Sequence, residues 1–289
     1  MKDVLITGIA GGFGKPTALA LLARGYDVAG SVRNRRGRNA GTIAELEAAG
    51  AKIVEMDVTD AASTERGVAD AISQLGGLDI LFNNAGIGSY GIQELMSPED
   101  MARVFDVNVM GVQRVMRAAL PHLRAQGRGT VLYTSSLIGR IATPFYGTYS
   151  ASKWALEAIV ECYRTELSGF GIESCIIEPG AMPTAFFDGL IVPNDAAREA
   201  EYGEFAAVPS LSNAGLARLL EATPEQRPER ITEAVVAILD KPFGQKPFRT
   251  VVDHVGVGPE IERYNDVLHD VTRTVLTNFG IAEMLDLNA

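Results

Sequence analysis

Strand-length apolar runs alternate with helical stretches through roughly the first 180 residues, and this alternation restricts the fold more tightly than any other feature. Residues 4–7 read as a buried strand and Gly8 to Gly14 as a glycine-rich turn. Residues 16–22 read as a helix with Pro16 in its first turn, where the missing N–H does no harm, and Gly25 stops it. Further strands are predicted at 28–32, 52–56, 80–82, 130–134 and 173–177, with 250–253 as a seventh at the sheet edge. Helices are predicted around 43–49, over 61–75, over 98–123 with an interruption near Gly111, and through the segment of Tyr149 to about 167. Strands that alternate with helices run parallel through right-handed crossovers. The fold class is therefore α/β, a doubly wound parallel sheet of about seven strands with helices on both faces.

The 289 residues, 47% hydrophobic and 21% charged, supply one large core, so a single domain over 1–289 is expected. Two segments lie outside the alternation. A helix-rich insertion near 186–222 is a candidate lid over the substrate. A C-terminal helical extension near 259–285 repeats Ile261, Tyr264, Leu268, Val271 and Val275 at three and four spacing, a stripe that needs an apolar surface to cover. The net charge of −10 argues against a nucleic-acid or anionic-membrane surface, and no apolar run has the length of a membrane span. The apolar opening of the chain meets Gly8 too early for a signal peptide, so a cytoplasmic location is expected. Cys162 and Cys175 read as reduced, small apolar groups. Three scattered histidines have no metal-site spacing, and no metal is expected.

Tyr149 and Lys153 carry the candidate chemistry. On a helix, residues four apart share one face. An ammonium beside a phenol favours the phenolate and lowers its pKa, which makes a proton carrier usable near neutral pH. The turn with Gly8, Gly12 and Gly14 lets backbone approach a pyrophosphate closely. The helix it opens supplies free N–H groups and a positive dipole end. Its spacing is Gly-x-x-x-Gly-x-Gly, not the Gly-x-Gly-x-x-Gly of the two-domain dehydrogenases.

From Val4 to about Thr184 the chain resembles the single-domain branch of the short-chain dehydrogenase/reductase family. The resemblance rests on Thr7 to Gly14, Asn83-Asn84-Ala85-Gly86, Asn108 with Gly111, Ser136, Tyr149 with Lys153, and Pro179 to Thr184, in that order. It implies a Rossmann-type domain that transfers a hydride between a nicotinamide cofactor and a carbonyl or secondary alcohol, with Tyr149 as general acid/base. It places the catalytic serine at Ser136 rather than Ser135. It gives Asn108 a water that links Lys153 to bulk solvent, and gives Lys153 a hydrogen bond to the nicotinamide ribose. Cofactor contacts fall on Gly8, Gly12, Phe13 and Gly14, on Asp57 (at the adenine amino group) and Val58, and on Asn83, Ala85 and Gly86 along the adenosine side. Pro179, Gly180, Met182 and Thr184 complete them, with Thr184 at the carboxamide. The resemblance also implies a homo-oligomer, dimer or tetramer, built through the long helices.

Enzymes that use the non-phosphorylated cofactor usually end the second strand with an acid for the ribose 2′-hydroxyl. Here Val32 holds that position, and the basic cluster Arg33, Arg35, Arg36 and Arg38 follows. A guanidinium suits a 2′-phosphate, so NADP(H) is preferred, with NAD(H) still usable. Substrate contacts are expected from Leu137, Phe145, Tyr146, Phe186 and Phe187. These are apolar and aromatic, which suggests a hydrophobic substrate with one reactive oxygen. Two rival readings share the fold: a nucleotide-sugar epimerase/dehydratase-like enzyme, and a non-catalytic NADP-sensing regulator. The Asn-Asn-Ala-Gly element and modest length weigh against the first. The joint presence of Asn108, Ser136, Tyr149 and Lys153 weighs against the second.

Overall fold

The computed structural model describes residues 2–37 and 39–287; Arg38 of the basic cluster lies outside the described residues. Seven strands form one sheet: β1 (Asp3–Ile6), β2 (Asp27–Val32), β3 (Lys52–Glu55), β4 (Ile80–Asn83), β5 (Gly129–Thr134), β6 (Ile172–Pro179) and β7 (Arg249–Val252). Their order is β3-β2-β1-β4-β5-β6-β7 and every pairing is parallel. The order reverses between β1 and β4, and a doubly wound sheet opens its ligand crevice at that point, beyond the carboxyl ends of the strands.

Both faces of the sheet are covered, which is why its strands read as continuous apolar runs and not as alternating ones. The helices are α1 (Gly14–Ala23), α2 (Ala40–Ala48), α3 (Ala61–Leu75), α4 (Pro98–Phe105), α5 (Val112–Gln126), α6 (Gly147–Ser168), α7 (Ala196–Glu201), α8 (Val208–Glu221), α9 (Glu229–Asp240) and α10 (Gly258–Asn278). One core layer packs Val68 and Ala71 of α3, Val115 and Met116 of α5, and Leu156 and Val160 of α6 against the sheet. The other packs Ala18 and Leu21 of α1, Leu46 of α2, and Ile231, Val235 and Ile238 of α9.

The interruption expected near Gly111 is a π-helical turn, Asp106–Gly111, that joins α4 to α5. A methyl on Gly111 would sit 2.9 Å from Val58 Cγ2, so glycine lets this turn press on the loop after β3. Ser97 caps α4 through the Asp100 N–H at 3.0 Å, and Asp60 caps α3 through Ser63 N–H at 2.6 Å.

Two elements depart from the sequence expectation. The helix α9 was not anticipated; it docks on α1, with Thr17 and Thr232 hydroxyls 3.2 Å apart. The stripe on α10 is split. Ile261 turns inward together with Asn265, while Tyr264, Val271 and Val275 are 42%, 53% and 43% exposed. The inward row follows residues 261, 265 and 268, and a polar Asn at 265 disguised it.

Candidate active site

The glycine turn is built for close approach. Gly8 has φ +66°, and a methyl on it would stand 3.1 Å from Ala85 Cα, so the turn and the segment after β4 touch backbone to side chain. A methyl on Gly12 would stand 2.7 Å from Thr184 Cβ, which puts the loop after β6 on the same turn. At Gly14 a methyl would meet the Gly8 carbonyl oxygen at 2.6 Å. The N-terminus of α1 has no side-chain cap at Phe13 and no acid in its first turn. Uncapped N–H groups and an unopposed positive dipole end suit an anion. These residues fit the pyrophosphate of a dinucleotide.

Beside the turn, Asn108 of the π-helical turn clamps the chain after Gly86. Its Oδ1 accepts from the Ile87 N–H at 2.9 Å, and its Nδ2 donates to the Ile87 carbonyl at 2.8 Å and to Ser152 Oγ at 3.0 Å. A methyl on Gly86 would be 3.3 Å from Asn108 Oδ1 and 3.7 Å from Lys153 Nζ, so three motif residues converge here. Lys153 Nζ donates to the Thr134 carbonyl at 2.8 Å and lies 5.7 Å from the centre of the Tyr149 ring. The Ser136 side chain lies near enough to the Tyr149 phenol to favour its ionised form. The Ser135 hydroxyl is occupied instead by Glu157, at 2.6 Å.

The electrostatics correct one expectation. In this arrangement the Tyr149 pKa is raised and not lowered, although Lys153 stands beside the ring. Burial pushes the phenol well above its ordinary value, the Ser136 hydroxyl opposes this only in part, and neighbouring Tyr146 adds to the rise. The ammonium is directed to the Thr134 carbonyl, not to the phenol oxygen. Burial pushes Lys153 down to about 8, with Glu157 holding it up against further loss.

On the adenosine side, Asp57 stays ionised. Burial works to raise its pKa, but the Thr59 N–H (3.0 Å), the Thr59 hydroxyl (2.7 Å) and the charges of Arg33 and Arg114 outweigh it and hold it low. Val58 is buried against the π-helical turn. Arg33 is exposed at the end of β2, and no hydrogen bond or ion pair among the described residues engages its guanidinium. Arg35 is tied down by Glu47 and by the Ile53 carbonyl.

Phe186 leans over Tyr149, ring centres 5.5 Å apart, and Phe187 meets Phe186 edge-on at 5.7 Å. Leu137 is buried just after Ser136. Phe145 and Tyr146 pack on Tyr90 at 6.0 and 4.6 Å. The insertion is clasped to the segment after β4 by a Ser89–Ile191 bridge, by the Tyr90 hydroxyl on the Pro209 carbonyl at 2.7 Å, and by the Tyr202 hydroxyl on Glu94 at 2.6 Å.

Among the other predicted contacts, Pro179 receives the Ser136 hydroxyl on its carbonyl at 3.5 Å. Gly180 is packed by Asp253 and Gln226, with 2.5 and 2.6 Å left for a methyl. The Met182 side chain is 2% exposed and packs in the core layer of α1 and α9. Asn83 is likewise buried, its Nδ2 on Met116 Sδ at 3.6 Å and its Oδ1 without a partner among the described residues. Sequence reasoning overlooked Thr7 and Asn84 as individual residues. The Thr7 hydroxyl accepts the N–H groups of Asn84 and Ala85, both at 2.9 Å, and Asn84 Nδ2 donates back to the Thr7 carbonyl at 3.1 Å. The signal was a threonine closing a buried strand, since a hydroxyl there needs a partner. Buried Gln226, with Nε2 on the Ala181 carbonyl at 2.8 Å and Oε1 on the His254 N–H at 2.6 Å, carried no such signal.

A parallel doubly wound sheet with a glycine cradle and a Ser–Tyr–Lys cluster at its carboxyl edge defines a class of nicotinamide-dependent oxidoreductases. The sequence profile of the short chain dehydrogenase family matches residues 2–191, and the chain belongs to that family. It is 34% identical over 201 residues to 3-ketodihydrosphingosine reductase of Bacteroides thetaiotaomicron, 70% of this chain and 71% of the relative. It is 30% identical over 213 residues to NADPH-dependent 3-dehydrocapnine reductase of Ornithobacterium rhinotracheale, 72% and 75% of the two chains. A short chain dehydrogenase/reductase of Burkholderia phymatum in complex with NAD superposes with TM-score 0.75 at 25% identity, over 93% of this chain and 95% of that one. The protein is thus an enzyme of this family, acting between CH–OH and C=O with a nicotinamide cofactor.

Proposed function

We propose that the chain is an NADP(H)-dependent oxidoreductase that moves a hydride between nicotinamide and a carbonyl or secondary alcohol of a hydrophobic small molecule, with Tyr149 as general acid/base. The observation that carries this reading is the convergence of Ser136 at the carboxyl end of β5 with Tyr149 and Lys153 of α6, the ammonium 5.7 Å from the centre of the Tyr149 ring. The cofactor supplies the hydride at its nicotinamide ring. Ser136 holds the substrate oxygen next to the phenol. Burial keeps Tyr149 protonated, so it serves as donor to the alkoxide that develops in reduction. Lys153, at about 8, is an ammonium at neutral pH and favours the phenolate left behind. Oxidation starts from that phenolate and gains as pH rises. Asn108 positions Gly86 and Ile87 through its side chain, so the water relay to bulk solvent falls to the backbone of the π-helical turn.

The preference for the phosphorylated cofactor is supported by the missing acid at Val32 and the unengaged Arg33, and by the NADPH dependence of the 3-dehydrocapnine reductase. A ketone substrate accords with the 3-ketodihydrosphingosine reductase. Phe186 over Tyr149 supports an apolar one. The reading includes a single working domain with 186–222 as its lid. It includes a homo-oligomer through α5 and α6, where Trp154 stands 42% exposed. It includes a reducing, cytoplasmic setting, supported by the exposed free thiol of Cys162. No helix among the described residues is long and apolar enough to cross a membrane.

The test is Tyr149→Phe. Turnover of a ketone panel is expected to fall by about 10²-fold or more, while NADPH binding, read by fluorescence titration, stays within about threefold of wild type. Turnover that survives the substitution overturns the assignment.

A further inference from the structure

Gln226 is 1% exposed in the segment between α8 and α9, and both ends of its amide are engaged. Nε2 donates to the Ala181 carbonyl at 2.8 Å and lies 3.5 Å from Asp253 Oδ1, while Oε1 accepts the His254 N–H at 2.6 Å. Two acceptors on one side and a donor on the other call for a primary amide, which offers N–H groups and a carbonyl oxygen from one planar head. A glutamate of the same shape would set oxygen against oxygen at Ala181 and Asp253. A leucine would leave a buried carbonyl and a buried N–H unmet, and buried polar groups are normally paired. The backbone is fitted to this head as well: a methyl on Gly180 would stand 2.6 Å from Gln226 Nε2 and 2.5 Å from Asp253 Oδ1.

The segment held in this way leads into the cofactor site. The Gly180 N–H donates to the Val252 carbonyl at 2.9 Å, which ends the pairing of β6 with β7. Beyond it, among the described residues, the Gln226–Ala181 bond is the one hydrogen bond that ties residues 181–184 to a segment other than 185–187. At the far end of this loop Thr184 rests on the glycine turn, where a methyl on Gly12 would stand 2.7 Å from Thr184 Cβ. The following residues bring Phe186 over the Tyr149 ring at 5.5 Å. Gln226 also closes the base of the insertion 186–222, since it joins the chain just before that insertion to the chain just after it.

We infer that Gln226 is a positioning residue for the nicotinamide end of the cofactor: its amide fixes the Ala181 carbonyl and, through the backbone that follows, the hydroxyl of Thr184 at the carboxamide. Its own polar atoms are engaged inside the protein, so it acts only through that loop. The inference rests on the reading that Thr184 meets the carboxamide of a bound nicotinamide. The adenosine half is held by other segments, around Asp57 and Gly86. Loss of the Ala181 bond is therefore felt at one end of the dinucleotide and not at the other.

The experiment titrates wild type, Gln226→Glu and Gln226→Leu with NADPH and with 2′-phospho-ADP-ribose, which lacks only the nicotinamide. NADH and ADP-ribose form a second pair that needs no 2′-phosphate site. Both variants are expected to bind the nicotinamide member of each pair about tenfold less tightly, the equivalent of roughly one hydrogen bond, and the truncated member within about twofold of wild type. Gln226→Glu keeps the acceptor for the His254 N–H, so it isolates the bond to Ala181. Thr184→Val is expected to weaken the same two ligands. The double variant Gln226→Glu/Thr184→Val is expected to lose less than the product of the single losses, because both substitutions remove one shared contact. Three results overturn the inference: equal loss within a pair (variants too unstable to bind either member included), no loss at all, or single losses that multiply. Ketone turnover by wild type tests the oxidoreductase reading separately. Selective loss of nicotinamide affinity without turnover refutes that reading and spares this one, and turnover without the selective loss does the reverse.

Discussion

Arg33 and Arg35 stand two apart, yet they do different work. Arg35 is spent on Glu47 and the Ile53 carbonyl, whereas among the described residues the Arg33 guanidinium makes no hydrogen bond or ion pair and has the charge of Asp57 nearby. A hydrogen bond to a charged group contributes about 1.5–3 kcal/mol, and about 1.4 kcal/mol is tenfold in affinity. Arg33→Ala is therefore expected to weaken NADPH about 10–100-fold and NADH by less than about threefold, read by paired dissociation constants. Arg35→Ala is expected to lower stability with little change in the ratio of the two. Equal weakening of both cofactors by Arg33→Ala would remove it from phosphate recognition. The sequence displayed the missing acid at Val32, which is a local fact. It could not sort the arginines, because Glu47 reaches Arg35 only after α2 packs beside β3. The Tyr149 pKa was misjudged for the same reason: four-residue spacing places Lys153 near the ring but does not aim its ammonium, and the Thr134 carbonyl that claims it comes from another strand.

At the scale of elements, the glycine turn and the insertion make opposite demands. Gly14→Ala would drive a methyl to 2.6 Å from the Gly8 carbonyl and 2.8 Å from Ile9 Cα, both backbone atoms that cannot swing aside. A loss of about 1–3 kcal/mol is expected in chemical denaturation, as for other overpacked sites, together with weaker binding of either nicotinamide cofactor. A variant as stable as wild type would show that the turn relaxes. The insertion, in contrast, is held to the segment after β4 by single contacts, so it can part from that segment cheaply. Removing the Tyr90–Pro209 bond in Tyr90→Phe deletes about 0.5–1.5 kcal/mol of closure. KM for ketone is expected to rise more than kcat changes, and proteolysis within 192–207 to speed up. The strand–helix alternation made the sheet and α1 to α6 readable, since each segment declares itself over a few residues. The helix α9 hid behind a polar, proline-bearing approach at 223–228, although Ile231, Val235 and Ile238 already had helical spacing. On α10 the apolar residues were visible but the inward row was not, because Asn265 faces a buried acid.

That acid belongs to a buried ion-pair cluster that ties α6, β6, β7 and α10 together. Glu157 of α6 and Glu178 of β6 have fully buried side chains, shared between Arg140 and Arg249 of β7. Asn265 of α10 donates to Glu178 at 2.6 Å. Charge on Glu178 is opposed first by burial and then by Glu157, while Arg249, Asn265 and Arg140 favour it; the balance raises its pKa to about 8 from 4.5. The folded state thus holds a proton that the unfolded chain releases near 4.5, and over that interval it binds more protons than the unfolded state. The stability this contributes is complete below the unfolded value and is lost as pH rises through the folded one. Glu178→Gln keeps a neutral, hydrogen-bonding side chain at every pH. It is expected to be close to wild type in urea denaturation at pH 5 and progressively more stable than wild type from pH 6 to 8.5. Both proteins share every other titrating group, Lys153 included, so the difference between them isolates Glu178. A difference that stays constant across this range would mean that Glu178 is already ionised in the fold, its charge carried by Arg249 and Arg140. Glu178→Gln would then be destabilising at every pH, since it would leave two buried guanidiniums facing one carboxylate fewer.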